Sequence, residues 1–424
     1  MDYKGIDYLR NKLRQKRTRV LLRYRYYDMK EYRQSSLSTT IPPWMKGLYS
    51  STVGWNTKSV DTLADRLMFL GFKEDTDYYG TMDIFRQNNP DVFFDSVIKE
   101  SLIASCSFIQ IAHGDGTLIP KLSVLTADNA TGVIDEQTGM LKEGYAVLDR
   151  DRDGHPVIEA WFTPEATTYF AEGSDPYVET NPADYPLLIT AAFRPDSKRP
   201  FGHSRISRST MKYQQLAQNT IERAEVSAEF YSYPQRYATG LSPEADPIVQ
   251  WKAVMSSFIT FDKDEDGDKP TVGQFSQQSM SPYTEQLRTA AALFAGETGL
   301  TLDDLGFPTD NPSSAEAIKA AHESLRLTAR RAQKVYASAF ARAGYLAACV
   351  RDNKAYDKVL IADMEPMWEP IFEPDAAALS VVGDGAIKLN QAVPGYFDRE
   401  NLRLLTGIEG GPEPEPISIE ETVE

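Results

Sequence analysis

No run of about 18 consecutive apolar residues occurs anywhere in the chain, which sets aside a membrane-spanning helix. No charged-then-apolar leader with a cleavage site opens it either, so the sequence predicts a protein that is neither inserted nor secreted, acting in the cytoplasm. Cysteine is scarce. The two present, Cys106 and Cys349, lie far apart in apolar stretches, which predicts buried thiols in a reducing compartment rather than a disulfide or a metal framework. The four histidines, at 113, 155, 203 and 322, have neither a cysteine nor paired carboxylates at ligand spacing. A Gly-rich loop closed by Lys-Ser/Thr is absent, so no ATP phosphates are cradled in the P-loop manner. Positive charge is also in short supply. A formal net charge of -16 argues against wrapping nucleic acid with a basic surface, because that affinity comes from Lys and Arg displacing counterions.

What is present describes a folded chain. Its 424 residues exceed the roughly 250–300 at which one hydrophobic core stops growing, so two or more substructures are expected. Hydrophobic content of 42% and charged content of 25% are ordinary for a globular protein, and 22 Tyr and 19 Phe supply bulky core material. Charge is unevenly spread: residues 1–33 carry eleven Lys/Arg against four Asp/Glu, whereas Pro412 to Glu424 holds acids alone. The basic segment, Lys4 to Tyr32, reads as a helix that either contacts another chain or nucleic acid or presents a solvated face. The Pro-Glu tail after Gly410 reads as disordered.

Helical spacing of Val60, Leu63, Ala64, Leu67 and Met68 predicts a helix from Asn56 to Leu70, stopped by Gly71. Asn89 and Pro90 stand as N-cap and first residue of another, through Val97 and Leu102. From Phe108 to about Phe170 the period changes. Runs rich in Val, Ile, Tyr and Phe alternate with turns at His113–Gly116, Gln137–Gly139 and Arg152–Gly154, an antiparallel meander. The first 200 residues therefore read as α+β. Beyond Gly202 a stripe of Tyr213, Ala217, Thr220, Ala224, Ala228 and Tyr231 predicts a closely packed helix ended by Pro234. A compact insertion follows to Ser279, with a short helix near Trp251 and a strand at Phe258–Phe261. Ser281 and Pro282 reopen a helix that turns Tyr283, Leu287, Ala290 and Phe294 inward until Gly296 and Gly299. After a loop from Thr301 to Pro312, Ser313 and Glu316 form a capping box. The long helix it opens carries a stripe of Ile318, Ala321, Leu325, Ala332, Tyr336, Ala339, Ala343, Leu346 and Val350, and at ~1.5 Å per residue would span roughly 55 Å. An Ala-rich stripe of that length calls for partners along its whole face, within the chain or in neighbouring subunits.

Motifs that carry chemistry fail on inspection. Asp149, Asp151, Asp153 and Gly154, and again Asp262, Asp264, Asp266 and Gly267, imitate the start of a calcium loop, but the twelfth positions are Ala160 and Gly273 where a bidentate Glu is required. Acidic hairpin turns account for them. Gly202 to Ile206 lacks the final glycine of a nucleophile elbow, and His322-Glu323 lacks the second histidine of a zinc-protease helix, with Arg326 in its place. No catalytic, cofactor-binding or metal-binding residues are assigned, and no cofactor is called for.

The order of elements resembles the portal family of tailed bacteriophages. Arg25, Tyr26, Tyr27 and Asp28, then Ile41 and Pro42, then Val53 to Asn56, then Val60, Asp61, Leu63, Ala64, Arg66, Leu67, Gly71 and Phe72 look like its opening pattern. Arg199, Pro200, Phe201, Gly202, His203, Ser204, Arg205 and Ile206 resemble its approach to the first stem helix. The resemblance, which covers nearly the whole chain, implies an α+β portal-like fold: an α/β wing over 1–203, stem helices at 204–233 and 281–299 flanking a small α/β clip at 234–280, a tunnel loop at 300–312, a long wing helix at 313–351, and a short helical crown with an acidic tail at 352–424. Pro200, Phe201, Gly202 and Ser204 would mark the wing-to-stem junction, and Leu305, Gly306, Phe307, Pro308, Thr309, Asp310 and Asn311 would face DNA with few charges and some apolar bulk.

By the same resemblance the chain would be no enzyme but a virion component, made in the host cytoplasm and set at one capsid vertex as a ring usually of twelve subunits. Its partners would be further copies of itself, the terminase large subunit, head-tail connectors, major capsid and scaffold proteins, and double-stranded DNA passing through. An acidic balance suits a channel that lets a polyanion slide, since each phosphate neutralised adds free energy that resists movement. Lys212, Arg223 and Arg236 could touch DNA, though pairing with neighbouring acids is the plainer account. Three other readings compete: another capsid or connector structural protein, a hydrolase with an acidic cleft, and a free-standing DNA-binding protein, the last opposed by charge and by the lack of a recognition motif.

Overall fold

The structure is a computed structural model that describes residues 3–31, 51–114, 119–232, 236–239, 271–274, 279–308, 320–372, 376–398 and 402. Among them α1 (Ile6–Tyr27) and α2 (Trp55–Ala64) lead into β1 (Phe69–Phe72), α3 (Thr81–Arg86) and α4 (Pro90–Ala104). Eight strands follow: β2 (Cys106–Ala112), β3 (Lys121–Thr126), β4 (Ala130–Ile134), β5 (Leu141–Arg150), β6 (Pro156–Phe162), β7 (Ala166–Ala171), β8 (Tyr177–Thr180) and β9 (Leu188–Ala192). The remainder comprises α5 (Arg208–Ser232), β10 (Arg236–Thr239), β11 (Thr271–Gln274), α6 (Ser281–Thr298), α7 (Glu323–Asp352), β12 (Pro366–Trp368) and α8 (Ala376–Ala392). The fold is mixed α and β, as the sequence predicts.

The predicted meander is divided between two sheets. β4 to β8 form a five-stranded antiparallel sheet in chain order, while β2 pairs with β3 on one side and with the distant β9 on the other. The acidic runs behave as turns where they are described: Asp151 to His155 closes the β5–β6 hairpin, with Gly154 at φ +83°. Residues 115–118 of the first predicted turn, the second calcium-like run, the helix near Trp251, the strand at Phe258–Phe261, the capping box at Ser313 and Glu316, and the tail lie outside the described residues. Of the segment between α5 and α6, the described part is the antiparallel β10–β11 pair.

Two helix expectations are corrected. The helix predicted to run from Asn56 to Leu70 ends at Ala64, and Phe69–Phe72 is a strand paired antiparallel with β12, Phe69 opposite Trp368. The apolar run Leu67–Phe69 satisfies both periods, and a strand partner 299 residues away decides between them. The long helix is interrupted: Ala320 and Ala321 are helical, His322 forms a turn, and α7 runs from Glu323. That turn coincides with the packing of His322 beside Asp304, 4.0 Å away, and the Phe372 ring. At ~1.5 Å per residue the 30 residues of α7 span about 45 Å rather than 55.

The core lies where α7 crosses the α2–α4 layer and the β2 sheet. The predicted stripe is buried from Leu325 through Tyr336 and Leu346 to Val350, whereas Ala321, ahead of the turn at His322, is exposed. Phe69, Phe94 and Phe340 meet with ring centroids 4.7–4.8 Å apart, and Trp368 closes on Phe69 from β12 at 4.9 Å. The fully buried Tyr336 hydroxyl bonds that of Ser101 on α4 at 2.5 Å. Gly344 lets α7 pass α3: a Cβ there would stand 2.6 Å from Thr81 Cγ2. Both thiols are buried and unpaired, as expected, and burial pushes that of Cys106 up to about 12.

Candidate functional site at the strand-to-helix junction

β9 ends at Ala192 and α5 begins at Arg208; the fifteen residues between them carry the motif Arg199–Ile206. Chain direction is reversed there by close backbone contact. The Gly202 amide donates to Arg199 O at 2.8 Å and that of His203 to Phe193 O at 2.7 Å. Gly202 adopts φ +74°, and a Cβ on it would lie 2.2 Å from Phe193 O and 2.9 Å from Ser105 O. Only glycine fits both the conformation and the space. Ser204 Oγ donates to Ile103 O at 2.5 Å and accepts from the Ile206 amide at 2.9 Å, tying the segment to the end of α4. The Phe201 ring lies 6.1 Å from that of Phe108 on β2, with Lys12 Nζ of α1 4.7 Å above it. Pro200 is exposed.

Arg205, to which the sequence alone gives no role, is the residue most deeply committed here. It is 9% exposed. Its Nε donates to Ser59 O of α2 at 2.6 Å and one terminal nitrogen to Thr298 O, the last residue of α6, at 2.8 Å; its own amide donates to Leu102 O at 2.8 Å. Burial, with the nearby Arg194 and Arg66, lowers the guanidinium to about 10, so it stays charged at neutral pH without a carboxylate partner. The Thr298 carbonyl, at the C-terminus of α6, carries partial negative charge and offsets the guanidinium, while Ser59 O within α2 supplies a second acceptor. No local pattern announces such a residue, because its partners lie 146 and 93 positions away.

α5 and α6 pack side by side along this junction. Ala217 and Thr220 of the predicted stripe are buried, Tyr213, Ala224 and Ala228 half-buried, and Ser227 and Tyr283 join hydroxyls at 2.7 Å. Asn56 of α2 binds Gln214 Oε1 on α5 through both its backbone amide, at 2.9 Å, and its side chain, at 2.7 Å. Lys212 is exposed and Arg223 half-buried.

The segment after α6 turns inward more than expected. Thr301 and Asp304 close a hydrogen-bonded turn, Leu305 is 8% exposed, and Phe307 packs against the core. The apolar bulk of the loop therefore faces the protein, leaving Gly306 and Pro308 exposed; Thr309, Asp310 and Asn311 lie outside the described residues. Gly306 at φ +88° accommodates the reversal.

The basic N-terminal helix is committed largely to the chain itself. Leu9 and Leu13 of α1 pack on Tyr145 and Val147 of β5. The buried Glu143 carboxylate accepts from the Lys4 and Gly5 amides, at 2.9 and 3.1 Å, a favourable place for negative charge at a helix N-terminus. Arg10 pairs with Glu159, Lys12 donates to Gly132 O, and Arg23 donates to Ala104 O. Arg14, Lys16 and Arg19 remain exposed. Asp151, Asp153 and His155 are close enough together to share a cation, yet all three are exposed and Asp151 already accepts from the His155 amide at 2.7 Å.

Comparison with known proteins follows from this layout. The chain is 24% identical over 403 residues to the portal protein of Mycobacterium phage L5, covering 90% of this chain and 81% of that protein. It is 24% identical over 399 residues to the portal protein of Mycobacterium phage D29, covering 89% and 80%. Among solved structures it is similar to a chain of the neck of a native gene transfer agent particle computed with C12 symmetry, at 15% identity and a TM-score of 0.49 over 92% of this chain and 99% of that one. A chain of the virion of the native gene transfer agent particle is 14% identical, with a TM-score of 0.48 over 92% and 100%. No protein-family model matches the sequence.

Proposed function

We propose, from homology to phage portal proteins that runs along 90% of the chain, that this protein is a portal subunit forming a ring-shaped channel at one capsid vertex. The observation that carries the reading is the length of that match, which takes in about nine-tenths of the chain in one alignment rather than a single shared segment. The role is structural: DNA is packaged and ejected through the ring, and terminase, head-tail connectors, capsid and scaffold proteins dock on it. It resides in the virion, after assembly in the host cytoplasm.

In this reading residues 1–203 are the wing, 204–233 and 281–299 the stem, 234–280 the clip, 300–312 the tunnel loop, 313–351 the long wing helix and 352–424 the crown and tail. Support comes from the α5–α6 pair, from the junction at Pro200, Phe201, Gly202 and Ser204 that locks the end of α5 onto α4 and β9, and from Arg205, which binds the same point to α2 and α6. Leu305 and Phe307 anchor the tunnel loop, and its exposed Gly306 and Pro308 face the duplex. A net charge of -16 keeps that duplex from being gripped.

The test is the mass of the purified protein in solution across a concentration series. A closed species near twelve times the 47.5 kDa chain supports the reading, and a chain that stays monomeric at high concentration in the presence of scaffold and capsid protein overturns it.

A further inference from the structure

A cleft of about 480 Å³ opens between the junction and α7, lined among others by Arg194, Asp196, His203, Arg205, Glu297 and Arg331. Its acids are already engaged. Asp196 accepts from the amides of Lys198 and Arg199, at 2.9 and 2.7 Å, and faces His203 Nε2 at 2.6 Å; Glu297 accepts from the Ser207 hydroxyl at 3.1 Å. Its arginines are not so engaged. Arg194 and Arg331 are exposed and have no ion pair among the described residues. The guanidinium of Arg205, more than nine-tenths buried, spends Nε and one terminal nitrogen on Ser59 O and Thr298 O, while the other terminal nitrogen has no acceptor among the described residues and is not sealed from the cleft that the residue lines.

We propose that this cleft is a binding site for a phosphate-class oxyanion, held by Arg205 from the floor and by Arg194 and Arg331 from the rim. Three guanidiniums with no carboxylate of their own match a dianion better than a single carboxylate, and the planar fork of arginine suits two oxygens at once. The free terminal nitrogen of Arg205 opens only toward the cleft, so an oxyanion there gains a charge-assisted hydrogen bond as well as neutralising charge. Neither the cleft nor the ligand depends on the assignment of the chain as a portal subunit. The oxyanion is either free phosphate or a backbone phosphate of DNA, and the two sources separate experimentally.

The experiment titrates inorganic phosphate into the full-length protein against chloride at matched ionic strength, following the melting temperature and phosphorus-31 line width. The arms are the native chain, Arg194→Gln with Arg331→Gln, and the conservative pair Arg194→Lys with Arg331→Lys. Both positions are exposed, so the variants fold and report on binding. A saturating rise in melting temperature with native protein, weakened at least ten-fold in the glutamine pair and partly restored in the lysine pair, is the expected result. Duplex DNA that competes for the phosphate signal assigns the site to a nucleic-acid backbone; DNA that leaves it unchanged assigns it to the free ion. A non-saturating response, or one equal in native and glutamine proteins, overturns the proposal.

Discussion

Replacing Gly202 with alanine puts a methyl group 2.2 Å from Phe193 O and 2.9 Å from Ser105 O, both backbone atoms that cannot swing aside as a side chain does. Holding a residue with a Cβ at φ +74° costs about 1–2 kcal/mol before any contact is counted. Relief of the clash requires the segment to lift from β9, which lengthens the bond from the His203 amide to Phe193 O, worth about 1 kcal/mol. The total is about 3 kcal/mol, which for a chain of 424 residues is a fall in melting temperature of roughly 3–4 °C. Gly173 provides the control. It has φ +77° with nothing within 4 Å of the added Cβ, so Gly173→Ala carries the conformational cost alone. The assay pairs thermal melts of the two variants with hydrogen exchange at His203 and Arg205, whose amides bond Phe193 O and Leu102 O. Equal melting temperatures for the two variants, with unchanged protection at those amides, would refute the argument that close backbone approach makes glycine obligatory at 202.

Arg205→Met removes two charge-assisted bonds, to Ser59 O and Thr298 O, each worth about 1.5–3 kcal/mol, and should cost at least 3 kcal/mol in urea unfolding with early exchange at the end of α6. Tyr336→Phe should cost only about 0.5–1.5 kcal/mol by the same measurement, because Ser101 keeps its second bond, to Ile98 O. Glu159 predicts a pH dependence: burial opposes its ionisation, but Arg10 and Tyr145 outweigh this and hold its carboxyl below the ordinary value. A depressed folded value means that the stability is present above the unfolded pKa of about 4.3 and is lost as pH falls below it, so melts between pH 6 and 3 should decline less steeply in Arg10→Gln than in the native chain.

The helices were the most legible part of the sequence, because caps and periodic stripes are local signals. Pro90, Pro282 and the stripe from Leu325 to Val350 stand where the structure uses them. Strand β1 was hidden because four apolar residues in a row carry no period of their own, and β12 contributes only three residues far along the chain. The meander was visible from its turns, but its division into two sheets depends on β9, whose residues pair with β2 across 78 to 86 positions of sequence. At the junction, Gly202 could be picked out as a glycine in a recurring pattern, whereas the role of Arg205 follows only from α2, α4 and α6 converging on one point. The inward turn of Leu305 and Phe307 was likewise invisible, since an apolar loop residue reads the same whether it faces a channel or a core.

Electron microscopy of the purified full-length protein tests the central claim most directly. The account predicts rings with a central opening wide enough for a DNA duplex, in which α5 and α6 of every subunit surround the channel. Particles without a central opening, or an assembly in which the α5–α6 pairs lie away from the axis, would contradict it.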